Sequence, residues 1–104
     1  MRRGNRTDGN HKHIRDGLRN LGHDVFDFSQ TGDGVPDLCV KVTPTMSIWL
    51  EVKIDKKADL SPAEIIFKMY WFDVYHVVTS VEEAVKAIEY SRSLIAAQQG
   101  EVKC

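Results

Sequence analysis

Asp37, Glu51 and Lys53 place charge in or beside two apolar runs of this 104-residue chain, where a buried strand should have none. Asp37 precedes the run Leu38–Val42 ("LCVKV"), and Glu51 and Lys53 end the run Ile48–Lys53 ("IWLEVK"). Side chains on a strand alternate faces with a period of two. Leu38, Val40 and Val42 therefore share one face, as do Ile48, Leu50 and Val52, and these six form a candidate core. The opposite face carries Asp37, Cys39 and Lys41 beside Trp49, Glu51 and Lys53. The intervening "TPTMS" has the length of a common hairpin connection. A turn centred near Thr45 puts Asp37 across from Lys53 and Glu51 across from Cys39, so both carboxylates and an ammonium gather at one edge of the hairpin.

Two carboxylates on neighbouring strands can share a divalent ion that prefers hard oxygen donors, Mg²⁺ or Mn²⁺. The backbone carbonyl of Val52 would supply a third donor, and waters and a phosphate oxygen the rest. Lys53 would orient an attacking water or offset charge developing on the phosphate. The same pattern also describes a surface ion pair on a solvated sheet face, a feature of little energetic weight. Asp37, which follows Pro36, equally suits a turn.

The surrounding pattern supplies the elements that must position these residues. A first helix is expected from about Asn10 to Leu21, with Ile14, Leu18 and Leu21 inward, Asp8 or Asn10 as its cap and Gly22 as its stop. "DVFDFS" (Asp24–Ser29) reads as a strand and "QTGDGVP" as a turn. Ser61, Pro62 and Glu64 form a capping box that opens a second helix. Its inward stripe is read as Ile65, Met69 and Phe72, broadened by Ile66, Phe67 and Tyr70. Tyr75–Ser80 is a fourth strand, and Val81–Gln98 a third helix with Val81, Val85, Ile88 and Leu94 or Ile95 inward. The order α-β-β-β-α-β-α implies an α/β or α+β fold, a mixed sheet with helices packed against it. One domain is expected over residues 1–104, with residues 1–8 a basic arm and 97–104 a flexible tail.

Composition bounds the functional classes. Hydrophobic residues at 42% and charged residues at 28% are those of an ordinary globular domain. No apolar run approaches the roughly 20 residues that span a bilayer, and the start of the sequence lacks the apolar segment of a signal peptide. Cys39 and Cys104 are read as reduced thiols, which points to the cytoplasm. His11, His13, His23 and His76 show no zinc-ligand spacing with the cysteines. Net charge is −1, but residues 1–20 hold six basic groups against two acidic ones. Arg2, Arg3, Arg6 and Lys12 there, with Lys56 and Lys57 after the second acidic run, are candidate phosphate contacts.

"PD" at Pro36–Asp37 followed by "EVK" at Glu51–Lys53 resembles the signature of the PD-(D/E)XK nuclease superfamily. With "RTDGN", "GVPDL", "WLEVK", "LSPAEIIF" and "VVTSVEEAV" in that order, the chain is similar to the small VRR-NUC type proteins of phages. It is more distantly similar to archaeal Holliday-junction resolvases. The resemblance implies a restriction-endonuclease-like αβββαβ core and metal-dependent hydrolysis of DNA phosphodiesters, leaving 5′-phosphate and 3′-hydroxyl ends. It makes Asp37 and Glu51 the metal-binding acids and Lys53 the catalytic lysine. Glu64 stands where many relatives carry a glutamine, and its capping-box role already explains it. Relatives often add an acid from the first helix; Asp8 and Asn10 are the candidates, and His11 occupies the place of a glutamate or glutamine. Ser29 and Gln30, at the end of the first strand, are candidate phosphate contacts. A homodimer acting on branched or four-way-junction DNA, in a bacterial host and encoded by a phage, completes the expectation. Two other readings stay open: a nuclease-fold module that binds DNA without cutting, and an interaction domain built on the second helix.

Overall fold

A computed structural model describes the backbone of residues 8–103 and the side chains of residues 10–98. Helix α1 (Asp8–Asn20) leads into β1 (Val25–Asp27), β2 (Leu38–Thr43) and β3 (Met46–Val52); α2 (Pro62–Tyr70) and a 3₁₀ turn (Phe72–Val74) precede β4 (Tyr75–Val78) and α3 (Val81–Lys103). The strands form one sheet in the order β1-β2-β3-β4. β1–β2 and β2–β3 are antiparallel, whereas β3–β4 is parallel. A parallel pair needs a crossover, and α2 provides it. The fold is thus the mixed, helix-flanked α/β arrangement that the order of elements implied.

One face of the sheet carries the core. Leu38, Val40, Val42, Ile48, Leu50, Val52 and Val78 pack there against Ile14 and Leu18 of α1 and Ala84, Ala87 and Ile88 of α3. All six residues assigned to the hairpin core from alternation are buried. Gly17 lets the two helices meet, because a Cβ there would lie 2.8 Å from a methyl of Val81.

Several boundaries and faces differ from the sequence reading. α1 starts at Asp8, so Asn10 lies inside the helix and does not cap it. Leu21 is exposed just beyond the helix end at Asn20, and Gly22, with φ of 95°, turns the chain after it. β1 is three residues long and leaves Phe26 exposed. α3 runs on to Lys103, past the expected stop at Gln98. Ile95 packs on the core and Leu94 is exposed, which fits a stripe running from Ala84 through Ala87 and Ile88 to Ser91.

α2 differs most. It has no buried residue: Ile65, Met69 and Phe72, the expected inward stripe, are all exposed. Phe67 and Trp71 face the sheet instead and pack on Trp49, with ring centroids 5.2 and 6.1 Å away. Phe28 and Tyr75 extend this cluster at 5.4 Å from Trp49 and 6.2 Å from Phe67. Large aromatic rings hold the helix by edge-on contacts, and the aliphatic residues are turned outward. Among the described residues, no helix is long and apolar enough to cross a membrane.

Candidate active site

β2 and β3 pair with Leu38 opposite Leu50 and Cys39 opposite Trp49, two positions from the register drawn with Thr45 at the turn. Asp37 is therefore not opposite Lys53, nor Glu51 opposite Cys39. Two causes add. The turn is tighter, closing at Thr43–Met46, and a bulge between Lys41 and Thr43 absorbs one residue. The net slip is even, so every side chain keeps its face. Asp37 and Glu51 remain on one side, and a further step along the same register sets them beside each other.

The loop that brings Asp37 in is fixed from both ends. Phe28 N–H donates to the Asp37 carbonyl at 2.7 Å. Gly34 adopts φ of 82° and lies so close to α2 that a Cβ would stand 2.5 Å from the Ala63 carbonyl oxygen. Asp37 Oδ2 then accepts the Val52 N–H at 2.9 Å. The group of Val52 that touches this carboxylate is its amide, whereas the sequence reading looked to its carbonyl. Burial pushes the Asp37 carboxyl above its usual range, and the Val52 N–H opposes that shift.

Glu51 is 4% exposed at the end of β3, between the core-facing Leu50 and Val52. Burial, and then the negative charge of Asp37 and Glu64, raise its carboxyl to about 9. Lys53 Nζ lies 3.5 Å from Glu51 Oε2 and 3.0 Å from Glu64 Oε1. Burial works against the Lys53 charge, but its bond to Glu64 and the Glu51 carboxylate prevail, so its ammonium is held more strongly than usual. Glu64 does two jobs. Its Oε1 accepts the Ser61 N–H at 2.8 Å, closing the capping box, and accepts from Lys53. Burial would raise the Glu64 carboxyl, yet the Ser61 N–H and Lys53 keep it lowered. The capping box thus does not exhaust Glu64, which joins Asp37, Glu51 and Lys53.

The remaining candidates fall unevenly. Asn10 lies against the site from behind: its Nδ2 donates to the Lys53 carbonyl at 2.8 Å and to the Thr79 carbonyl at 3.4 Å, tying α1 to the ends of β3 and β4. Ser29 turns away, donating from its N–H and hydroxyl to Asp27 Oδ1 at 2.9 and 2.6 Å. Gln30 is exposed on the loop that follows. Lys12 is exposed on α1, and Lys57 on the loop after β3. Lys56 pairs with Glu83 at 3.2 Å. The Asp8 side chain and Arg2, Arg3 and Arg6 lie outside the described residues.

The sequence reading weighed His11 but not the polar group that it forms with Asp27 and Arg15. His11 is 1% exposed, with Nε2 3.4 Å from Asp27 Oδ2, and Arg15 Nη1 donates to the same oxygen at 2.7 Å. Burial opposes the Asp27 charge, but the Ser29 and Arg15 hydrogen bonds lower its carboxyl to about 2. The signal was present: His11, Ile14 and Leu18 follow the i, i+3, i+7 spacing of one buried stripe.

Among the described residues no three His, Cys, Asp or Glu side chains form a ready-made metal cage. The donor set nevertheless suits Mg²⁺, which typically keeps several waters and takes one or two carboxylates plus substrate phosphate. Glu51 and Glu64 flank the Lys53 ammonium and Asp37 lies beside them. Burial first, and the neighbouring carboxylates after it, disfavour the charged forms of Asp37 and Glu51, a penalty that a cation would relieve. Compared with known proteins, the chain matches no family model, no curated protein and no solved structure.

Proposed function

We propose that the chain is a divalent-metal-dependent endodeoxyribonuclease of the PD-(D/E)XK type. The observation that carries the reading is the convergence of Asp37, Glu51, Lys53 and Glu64 at the end of a central strand. Asp37 and Glu51 would hold Mg²⁺ or Mn²⁺. When bound, the cation acidifies a water and polarises the scissile phosphate.

The chain's own groups do the rest. The Val52 N–H orients Asp37 so that one of its oxygens stays available. Lys53, kept cationic between Glu51 and Glu64, stands ready to stabilise charge on the phosphate. Asn10 fixes the backbone from which Lys53 projects. The buried site on rigid strands limits the geometric freedom of the acids.

The proposed substrate is branched DNA, cut by a homodimer, because a domain this small has little surface for gripping a duplex. The apolar outer face of α2 and of the turn after it supports self-association: Ile66, Met69, Tyr70 and Phe72 are each more than half exposed. The test is cleavage of labelled junction, flap and duplex DNA with Mg²⁺, with Mn²⁺ and with chelator. Cleavage is expected only with metal, and Asp37→Ala or Glu51→Ala is expected to lower the rate at least about 100-fold, of the order seen on losing one charge-stabilising group. Full activity in either variant refutes the assignment. Salt-sensitive DNA binding without cleavage under any divalent ion would favour a non-cutting module.

A further inference from the structure

A further cavity lies along one edge of the sheet. β4 is an edge strand of the sheet, and a groove of about 640 Å³ follows it, lined in part by Lys56, Lys68, Lys86, Tyr75, His76 and Tyr90. Lys68 comes from α2 and Lys86 and Tyr90 from α3, so two helices wall the strand. Lys56 is paired with Glu83, whereas Lys68 and Lys86 have no ion-pair partner among the described residues. Two lining residues, which project to opposite faces of β4, also carry unsatisfied polar atoms. Tyr75 is 6% exposed, and neither its buried hydroxyl nor the buried Nε2 of His76 has a hydrogen-bond partner. Such atoms cost free energy unless a ligand or water meets them.

The groove begins next to the acid cluster. Tyr75 pairs with Trp49, two residues from Glu51 on the same face of β3. Its phenol is pushed up first by burial and then by Glu51, Glu64 and Asp37, which places it within their field. A second copy of β4 is a poor occupant, because pairing across a two-fold axis would bring the lysines of both copies together. An anionic chain is a good one. Tyr90, 58% exposed at the groove wall, offers a ring face as well. Lysines that track a backbone beside an aromatic platform are how proteins hold single-stranded nucleic acid.

We infer that this groove binds an unpaired DNA strand leading away from the scissile phosphate, with backbone phosphates near Lys68 and Lys86 and a base against Tyr90. The inference rests on the nuclease reading for the identity of the strand, but binding itself needs no metal. The substrate class becomes DNA with an unpaired arm beside the cut.

The experiment is fluorescence anisotropy of a labelled oligonucleotide of about 12 nucleotides, within the span of common single-strand sites, titrated with the full chain in EDTA over a series of salt concentrations. The double variant Lys68→Ala/Lys86→Ala should reduce the slope of log affinity against log salt by about 1.4, or roughly 0.7 per phosphate. Tyr90→Ala should weaken binding about tenfold, the loss of one stacked base. Lys41→Ala, on β2, should change neither. An unchanged slope in the double variant overturns the inference, as does tighter binding of the matching duplex than of the single strand. The two proposals fail separately. A lowered slope in a protein that cuts nothing keeps the groove and removes the nuclease. Normal cutting with an unchanged slope does the reverse.

Discussion

At the scale of single residues, the site is defined by a charge imbalance. Glu51 is nearly as buried as its neighbours Leu50 and Val52, yet it sits beside Asp37 and Glu64 with one ammonium among them. An acid whose folded-state value is raised contributes stability below its unfolded value, and that contribution is lost as pH climbs through the folded one. For Glu51 the window runs from the ordinary 4.5 to about 9. The metal-free protein should therefore lose thermal stability steadily across that window. Glu51→Gln should flatten the loss, because its amide does not ionise. Saturating Mg²⁺ should raise Tm more at the alkaline end than at the acidic end, since cation and proton compete for the same oxygens. Thermal melts over a pH series, with and without metal, check all three. A wild-type Tm that rises with pH throughout would contradict the burial of this carboxylate.

At the scale of elements, how far the site was legible follows from which physical rule controls each part. The faces of β2 and β3 were readable because alternation alone fixes them, and so was the Ser61–Glu64 cap, because its spacing encodes its bonds. The register was not, since alternation does not reveal where a turn closes or that a bulge will absorb a residue. The inward side of α2 was misread for a related reason. The helix is apolar nearly all round, so spacing offers several stripes, and only the position of Trp49 selects Phe67 and Trp71. Glu64 was discounted because one role already accounted for it. The loop before Asp37 gives a direct test of this layer. Gly34→Ala adds a methyl against the Ala63 carbonyl at a positive φ. It should cost about 2–4 kcal/mol from backbone strain and overpacking together. Denaturant unfolding would measure this, and a loss below about 0.5 kcal/mol would mean that the loop does not rest on α2 as described.

For the whole molecule, the two sides of the sheet are unequal. One is sealed by α1 and α3; the other is covered by a helix of nine residues with no buried side chain. Exposed Ile66, Met69, Tyr70 and Phe72 form an apolar surface of the kind that monomers seldom leave in water. Light scattering is expected to give about twice the chain mass of 11.8 kDa. Ile66→Asp should shift the protein to the single-chain mass without unfolding it, because that side chain supports no interior packing. A wild-type mass of one chain at micromolar concentration removes the dimer.

The thin cover also sets what can move. Glu64 belongs to the layer with the fewest anchors, the Asp37 loop leans on that layer, and Glu51 belongs to the strand beneath it. Brief excursions of α2 would release the brace on Lys53 and loosen the loop that carries Asp37, while Glu51 stays in its strand, the kind of partial opening that proteins undergo far below their melting point. Lys53 would then be the adjustable member of the cluster, and Glu51 its fixed point.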